Sequence, residues 1–230
     1  MKITNVSVTN LEHAIVTAGF PCQTEYDPED YANKVELMKR HIAGETLREE
    51  DAGWCRKRMN RVIDLGSCEG GESHDCYLCG ITVQFNVTAP RYWFPEMQRY
   101  HFADIISSFS TMHCLKKNLR KMREQPDCLG EYFSPLTDRR VLDAMIAVAS
   151  ETLDRDDLSE SKKLEIVKAN LPEGYLQTCR ITTNYRQLKT WLRQREDHRL
   201  SDWREVCLWI NSLPLFRKLT GLDKHAEEQK

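Results

Sequence analysis

Only two stretches of this chain alternate in the way that a half-buried strand requires. In CGITVQFNVT the residues Ile81, Val83, Phe85 and Val87 share one face, and YLQTCRITTNY (175–185) reads as a second strand. Almost every other periodic stretch has helical spacing. So small a sheet cannot enclose a core by itself, and the helices must close around it in an α+β domain.

The helices carry start and stop signals. Asp27 and Pro28 open DPEDYANKVELMKRHIAGE, which Gly44 ends, and a charged helix follows through Met59 to Ile63. GSCEGGESHD (66–75) is the clearest loop. Pro90 is expected to start a helix running to about Phe102, with Trp93, Met97 and Tyr100 on one stripe. STMHCLKKNLRKMRE and DRRVLDAMIAVASETLD continue the helical pattern, and LSESKKLEIVKANLPEG is stopped by Leu171-Pro172. Two further helices span about 185–197 and 201–213, the second with a capping box from Asp202 and Glu205. The chain is expected to form a single domain over 1–222, followed by a polar tail, 223–230.

Charge excludes a bulk pull toward nucleic acid or membrane surfaces. With 33 Lys+Arg against 35 Asp+Glu the net charge is -2, so any anion site must be built locally. No apolar run approaches the roughly 20 residues of a membrane span, and the start has no signal-peptide architecture. Nine irregularly spaced cysteines in a chain of this size favour reduced thiols and a cytoplasmic location. Cys68, His74, Cys76 and Cys79 could form a Cys3His zinc set; the plainer reading is free thiols around a strand start, and no metal is assigned. The basic helix 115–124 reads as a solvated face, with an acidic partner or RNA as its rival.

One corner does not fit a solvated face. On the helix from Tyr185, the apolar stripe Leu188, Trp191, Leu192 continues at Arg195, a guanidinium that points inward and needs a partner. Arg186 and Arg193 lie on the opposite face and read as ordinary solvated arginines. His198 follows near the same edge, and Arg204 borders the stripe Trp203, Val206, Cys207, Ile210 of the next helix. Arg195, His198 and Arg204 are therefore expected to converge where two helices meet, a corner suited to a phosphate or a uracil-like ring; the plainer reading of Arg195 is a guanidinium that pairs with a buried Asp or Glu or snorkels out.

The run TTNYRQLKTWLRQREDHRLSDWREV resembles the C-terminal segment of flavin-dependent thymidylate synthases, with Thr182, Asn184, Arg186, Arg195, His198 and Arg204 on or near the family's positions. The resemblance covers about 73–213. Aligned on Ser110, the segment APRYWFPEMQRYHFADIISSFSTMH puts His101 on the family signature's central histidine and Arg91 on its upstream arginine. Tyr100 and Phe102 replace the two flanking arginines, with Arg99 one residue away, Ser107 and Ser108 replace an Asn-Glu pair, and Thr178 stands at the usual phosphate-binding arginine, two residues before Arg180. These departures fit a divergent, phage-type member.

The resemblance implies a small, mostly antiparallel sheet surrounded by helices, and a cytoplasmic homotetramer whose sites are shared between subunits. It implies FAD, reduced by NADPH, delivering hydride to dUMP after methylenetetrahydrofolate supplies one carbon. Arg204 would act at the uracil ring as catalytic residue. His101, Arg99, Asn184, Arg195 and His198 would hold the flavin, and Arg91, Ser110, Arg180 and Arg204 the nucleotide. Related pyrimidine chemistry such as hydroxymethylation, or a non-catalytic relative that binds nucleotides or partners, is the alternative. Trp93, Phe94 and Tyr100 are expected to supply aromatic surface for self-association.

Overall fold

The structure, a computed structural model, describes residues 1–68 and 73–223. The expected polar tail beyond Asp223 and the middle of the glycine-rich loop lie outside the described residues. Four strands, β1 (Lys2–Thr9), β2 (Thr82–Pro90), β3 (Asp104–Ser108) and β4 (Leu176–Asn184), form an antiparallel sheet in the order β1-β2-β4-β3. β2 and β4 are the two alternating stretches, and they are central. β2 buries Val83, Phe85, Val87 and Ala89 while the intervening residues stay half-buried. β1 and β3 occupy the edges and have no buried residue, so the sequence lacks the alternation that marks a strand with one face in a core.

The helix expected from Pro90 is not formed as such. Pro90 closes β2, and α4 is only Trp93–Met97. A proline without an N–H suits a strand end as well as a helix start, so it does not distinguish them. Phe102 then adopts φ 60, a left-handed conformation through which a helix cannot continue. Trp93 and Phe94 pack edge-on at 5.2 Å and are buried, so they do not supply the exposed aromatic surface expected of them.

The chain divides into two compact units, one built from 1–5 and 85–181, the other from 6–84 and 182 onward. In the first, α5 (Thr111–Glu124), α7 (Arg139–Asp154) and α8 (Glu160–Ala169) pack on one another, with the short α6 (Leu129–Tyr132) beside them. Their stripes meet at Leu115, Leu119, Met122, Met145, Ala149 and Val167. Ser110, Asp138 and Ser159 cap the three long helices, each accepting a backbone N–H from the first turn. On the outer face of α5, Lys116, Lys121 and Arg123 pair with Glu160, Glu131 and Asp154, as a solvated face would.

The second unit gathers α1 (Leu11–Thr17), α2 (Pro28–Ile42), α3 (Glu49–Gly66), a 3-10 turn over His74–Gly80, α9 (Tyr185–Arg195), α10 (Ser201–Asn211) and α11 (Phe216–Leu219). Asp27 caps α2 as expected, and Gly44 follows it at φ +76, where a side chain would be strained. Trp191 of α9 meets Trp203 of α10 edge-on at 5.5 Å, both fully buried. Such a pair adds about 0.5–1.5 kcal/mol beyond the area it buries. The expected capping box of α10 is absent. The N-cap is Leu200 with no side-chain bond, and Asp202 sits inside the first turn, buried, where the helix dipole favours a carboxylate.

Candidate functional site

The three residues expected to converge at the α9–α10 corner do so. Arg195 lies with its guanidinium 4.7 Å over the Trp203 ring, so the last position of the buried stripe meets an aromatic face. The His198 ring stands 6.3 Å from the same tryptophan, and its Nδ1 accepts the Leu200 N–H at 3.2 Å. Arg204 donates from Nη1 to the carbonyl oxygens of His198 (2.5 Å) and Arg199 (3.1 Å), locking the turn between the helices. Arg204 is exposed, and among the described residues no carboxylate pairs with it. Its remaining N–H groups are therefore available to an anion or a carbonyl. Nearby, burial pushes the Cys207 thiol up to about 11, Glu196 adding to the shift and Arg195 opposing it.

Arg186 is not a solvated arginine. Its Nε donates to Asp75 at 2.8 Å, and Lys189 donates to the other oxygen of that carboxylate at 3.1 Å. Burial lowers the Arg186 pKa, but Asp75 and the thiols of Cys76 and Cys79 outweigh it, leaving it raised. Lys189 and Asp75 are both buried, and Lys189 also donates to the Gly66 and Cys68 carbonyls at the end of α3. Sequence reasoning missed this cluster, although Tyr185, Leu188, Lys189 and Leu192 fall at i, i+3, i+4 and i+7, which places Lys189 on the apolar stripe. Asn184 caps α9, its side chain accepting the Gln187 N–H at 2.9 Å.

In the first unit Ser110 stands at a small cavity of about 130 Å³, shared with Thr88, Cys114, Asn118, Gln177 and Thr178. That is room for roughly four waters at about 30 Å³ each, or for a phosphate group. Thr88 and Thr178 hydroxyls bond at 2.8 Å across it, and Gln177 donates to the Phe109 carbonyl at 3.1 Å. Ser110 Oγ accepts the Met112 N–H, which leaves its proton for a ligand at the start of α5, where backbone N–H groups also point outward. Arg91 and Arg180 do not line this cavity. Arg91 lies 3.8 Å from Glu173, and Arg180 donates to the Asn5 carbonyl and to Asn86 Oδ1. Arg99 and His101 are exposed in the turn that ends at the left-handed Phe102.

All nine cysteines are free thiols. Among the described residues no three His, Cys, Asp or Glu side chains come together so as to hold a metal, and no helix is long and apolar enough to cross a membrane.

The four-stranded antiparallel sheet wrapped by helices is the fold of flavin-dependent thymidylate synthases. Two solved structures of the flavin-dependent thymidylate synthase ThyX from Helicobacter pylori, each with FAD and dUMP, are similar to this chain. The first is 18% identical at a TM-score of 0.62, over 97% of this chain and 99% of that one. The second is 18% identical at 0.61, over 97% and 98%. No protein-family model matches the chain, and no curated protein matches its sequence.

Proposed function

We propose that this protein binds FAD and dUMP and methylates dUMP to dTMP, with methylenetetrahydrofolate as one-carbon donor and NADPH as reductant. The observation that carries the reading is the gathering of Arg195, His198 and Arg204 at one helix corner, with Arg204 exposed and unclaimed by a carboxylate. The likeness to structures that hold FAD and dUMP supports it.

The donor set suits a flavin. Arg195 and His198 offer cationic and ring contacts at the corner, Arg99 and His101 offer the same from an exposed turn, and Asn184 keeps its amide N–H groups because only its oxygen is used by the cap. Bound flavin would supply the hydride. Arg204 would hold the uracil carbonyl by charge-assisted hydrogen bonds and so favour the electron-rich, enolate-like form of the ring from which C5 attacks carbon. Ser110 and the first N–H groups of α5 would seat the phosphate, while Arg91 and Arg180 add positive charge from the same unit. Exposed Phe102, Ile106, Phe109 and Met112 support a homotetramer of shared sites better than the buried Trp93 and Phe94 do. The free thiols suit a reducing cytoplasm.

A non-catalytic relative is the second reading, favoured by Arg186, which Asp75 holds, and by Thr178 at the family's phosphate arginine. Complementation of a thymidine auxotroph separates the two. Growth that depends on Arg204 is expected; absence of growth from a well-expressed, folded protein contradicts the synthase reading.

A further inference from the structure

The second unit holds a cavity of about 560 Å³ that none of the corner residues lines. Its cations come from two turns of α3, Lys57, Arg58 and Arg61, and its other walls include Trp54 of the same helix and the loop at Gly19 and Cys22. Arg58 is half-buried over the Trp54 ring at 5.6 Å, and it packs so tightly on Gly19 that a Cβ there would sit 1.3 Å from Nη1. Arg61, one turn on, donates to the Cys22 sulfur at 3.1 Å and to no other group among the described residues.

Two arginines earlier along α3 and its N-cap are treated differently. Arg48 pairs with Asp51 and Arg56 with Glu49, whereas among the described residues no carboxylate pairs with Lys57, Arg58 or Arg61. Among the described residues Asp64 is the one acidic residue lining the cavity. Burial lowers the Arg58 pKa, and the neighbouring charge of Arg61 lowers it further. Like charges at i, i+3 and i, i+4 repel, and a desolvated guanidinium beside another is costly unless an anion is shared between them. The protein spends a glycine on seating one of them there.

We propose that this cavity is a binding site for an organic phosphate of mononucleotide size, its phosphate held by Arg58, Arg61 and Lys57 and its organic part lying toward Trp54 and the Gly19–Gln23 loop. The volume falls within the roughly 300–1,000 Å³ of ordinary ligand sites, well above what a bare phosphate fills. Two arginines and a lysine present planar forks and a point charge to one dianion, a set that suits phosphate. The site is independent of the pyrimidine-nucleotide reading.

The test is calorimetric titration of the full chain at low ionic strength with AMP and with inorganic phosphate as probes, in saturating dUMP and FAD so that any pyrimidine or flavin site is silent. Expected is one saturable site, AMP binding at least tenfold tighter than phosphate. Arg61→Gln and Lys57→Gln, both at exposed positions, should each weaken AMP about tenfold with an unchanged melting temperature. Arg61→Lys should recover part of the affinity, and Lys117→Gln on α5 should leave it unaltered. Absence of AMP binding, equal affinity for the two probes, or full affinity in both Arg61→Gln and Lys57→Gln would overturn the proposal. Should Arg61→Gln unfold, Lys57→Gln alone decides.

Discussion

Arg204, exposed, and Lys189, buried, show how differently two cations can be used. Arg204 spends one nitrogen on two carbonyls and keeps the rest for a ligand, whereas Lys189 donates to Gly66, Cys68 and Asp75 and has nothing left. Arg204→Ala should therefore weaken dUMP binding about tenfold or more, one charge-assisted hydrogen bond being worth about 1.5–3 kcal/mol, and leave the fold intact. Equilibrium dialysis with radiolabelled dUMP reads this directly, and unchanged affinity removes Arg204 from the site. Lys189→Met should instead destabilise by about 3–5 kcal/mol in urea denaturation, because it leaves a buried carboxylate short of a partner. Adding Asp75→Asn should cost less than the sum of the two single changes; additivity would mean the pair is not coupled. Arg195, His198 and Arg204 were legible because a charge on an apolar stripe is anomalous. Asp75 was not, because its burial depends on a partner 114 residues away that turns a loop carboxylate inward.

Helices with caps and one buried face announce themselves, and strands at a sheet edge do not. Asp27, Ser110, Asp138 and Ser159 each stand where a polar residue precedes an apolar stripe, and each accepts a backbone N–H in the structure. β1 and β3 escape notice because neither of their faces is buried. Pro90 misleads because strand ends and helix starts both tolerate a missing N–H. At this scale Asn184 has two assignments, cap of α9 and flavin contact, and substitution separates them. Asn184→Ala should lower stability by about 1 kcal/mol, and Asn184→Ser should restore it, since serine caps nearly as well. If flavin affinity stays low in Asn184→Ser while the melting temperature recovers, the amide serves the cofactor; recovery of both leaves Asn184 as a cap alone.

For the molecule as a whole, the four-stranded sheet with its helical cover matches structures of the same size and architecture over 97% of the chain at 18% identity. Chains this different in sequence can share a fold because it needs apolar stripes and caps, which many residues satisfy, while a site needs particular side chains. That is why the fold was readable from two alternating stretches and a set of capped helices, and why the candidate site was readable only as the gathering of Arg195, His198 and Arg204 at the α9–α10 corner. By the sequence resemblance Tyr100 and Phe102 stand at the signature's flanking arginines and Thr178 at its phosphate arginine, so flavin binding would fall to Arg195, His198, Arg99, His101 and Asn184. Titrating the purified full chain with FAD and following the flavin absorption bands, with and without dUMP, tests it most directly. Saturable binding, a shift of the flavin spectrum, and a further change on adding dUMP that Arg204→Ala abolishes are expected. A colourless protein whose addition leaves the FAD spectrum and its own melting temperature unchanged would contradict flavin binding.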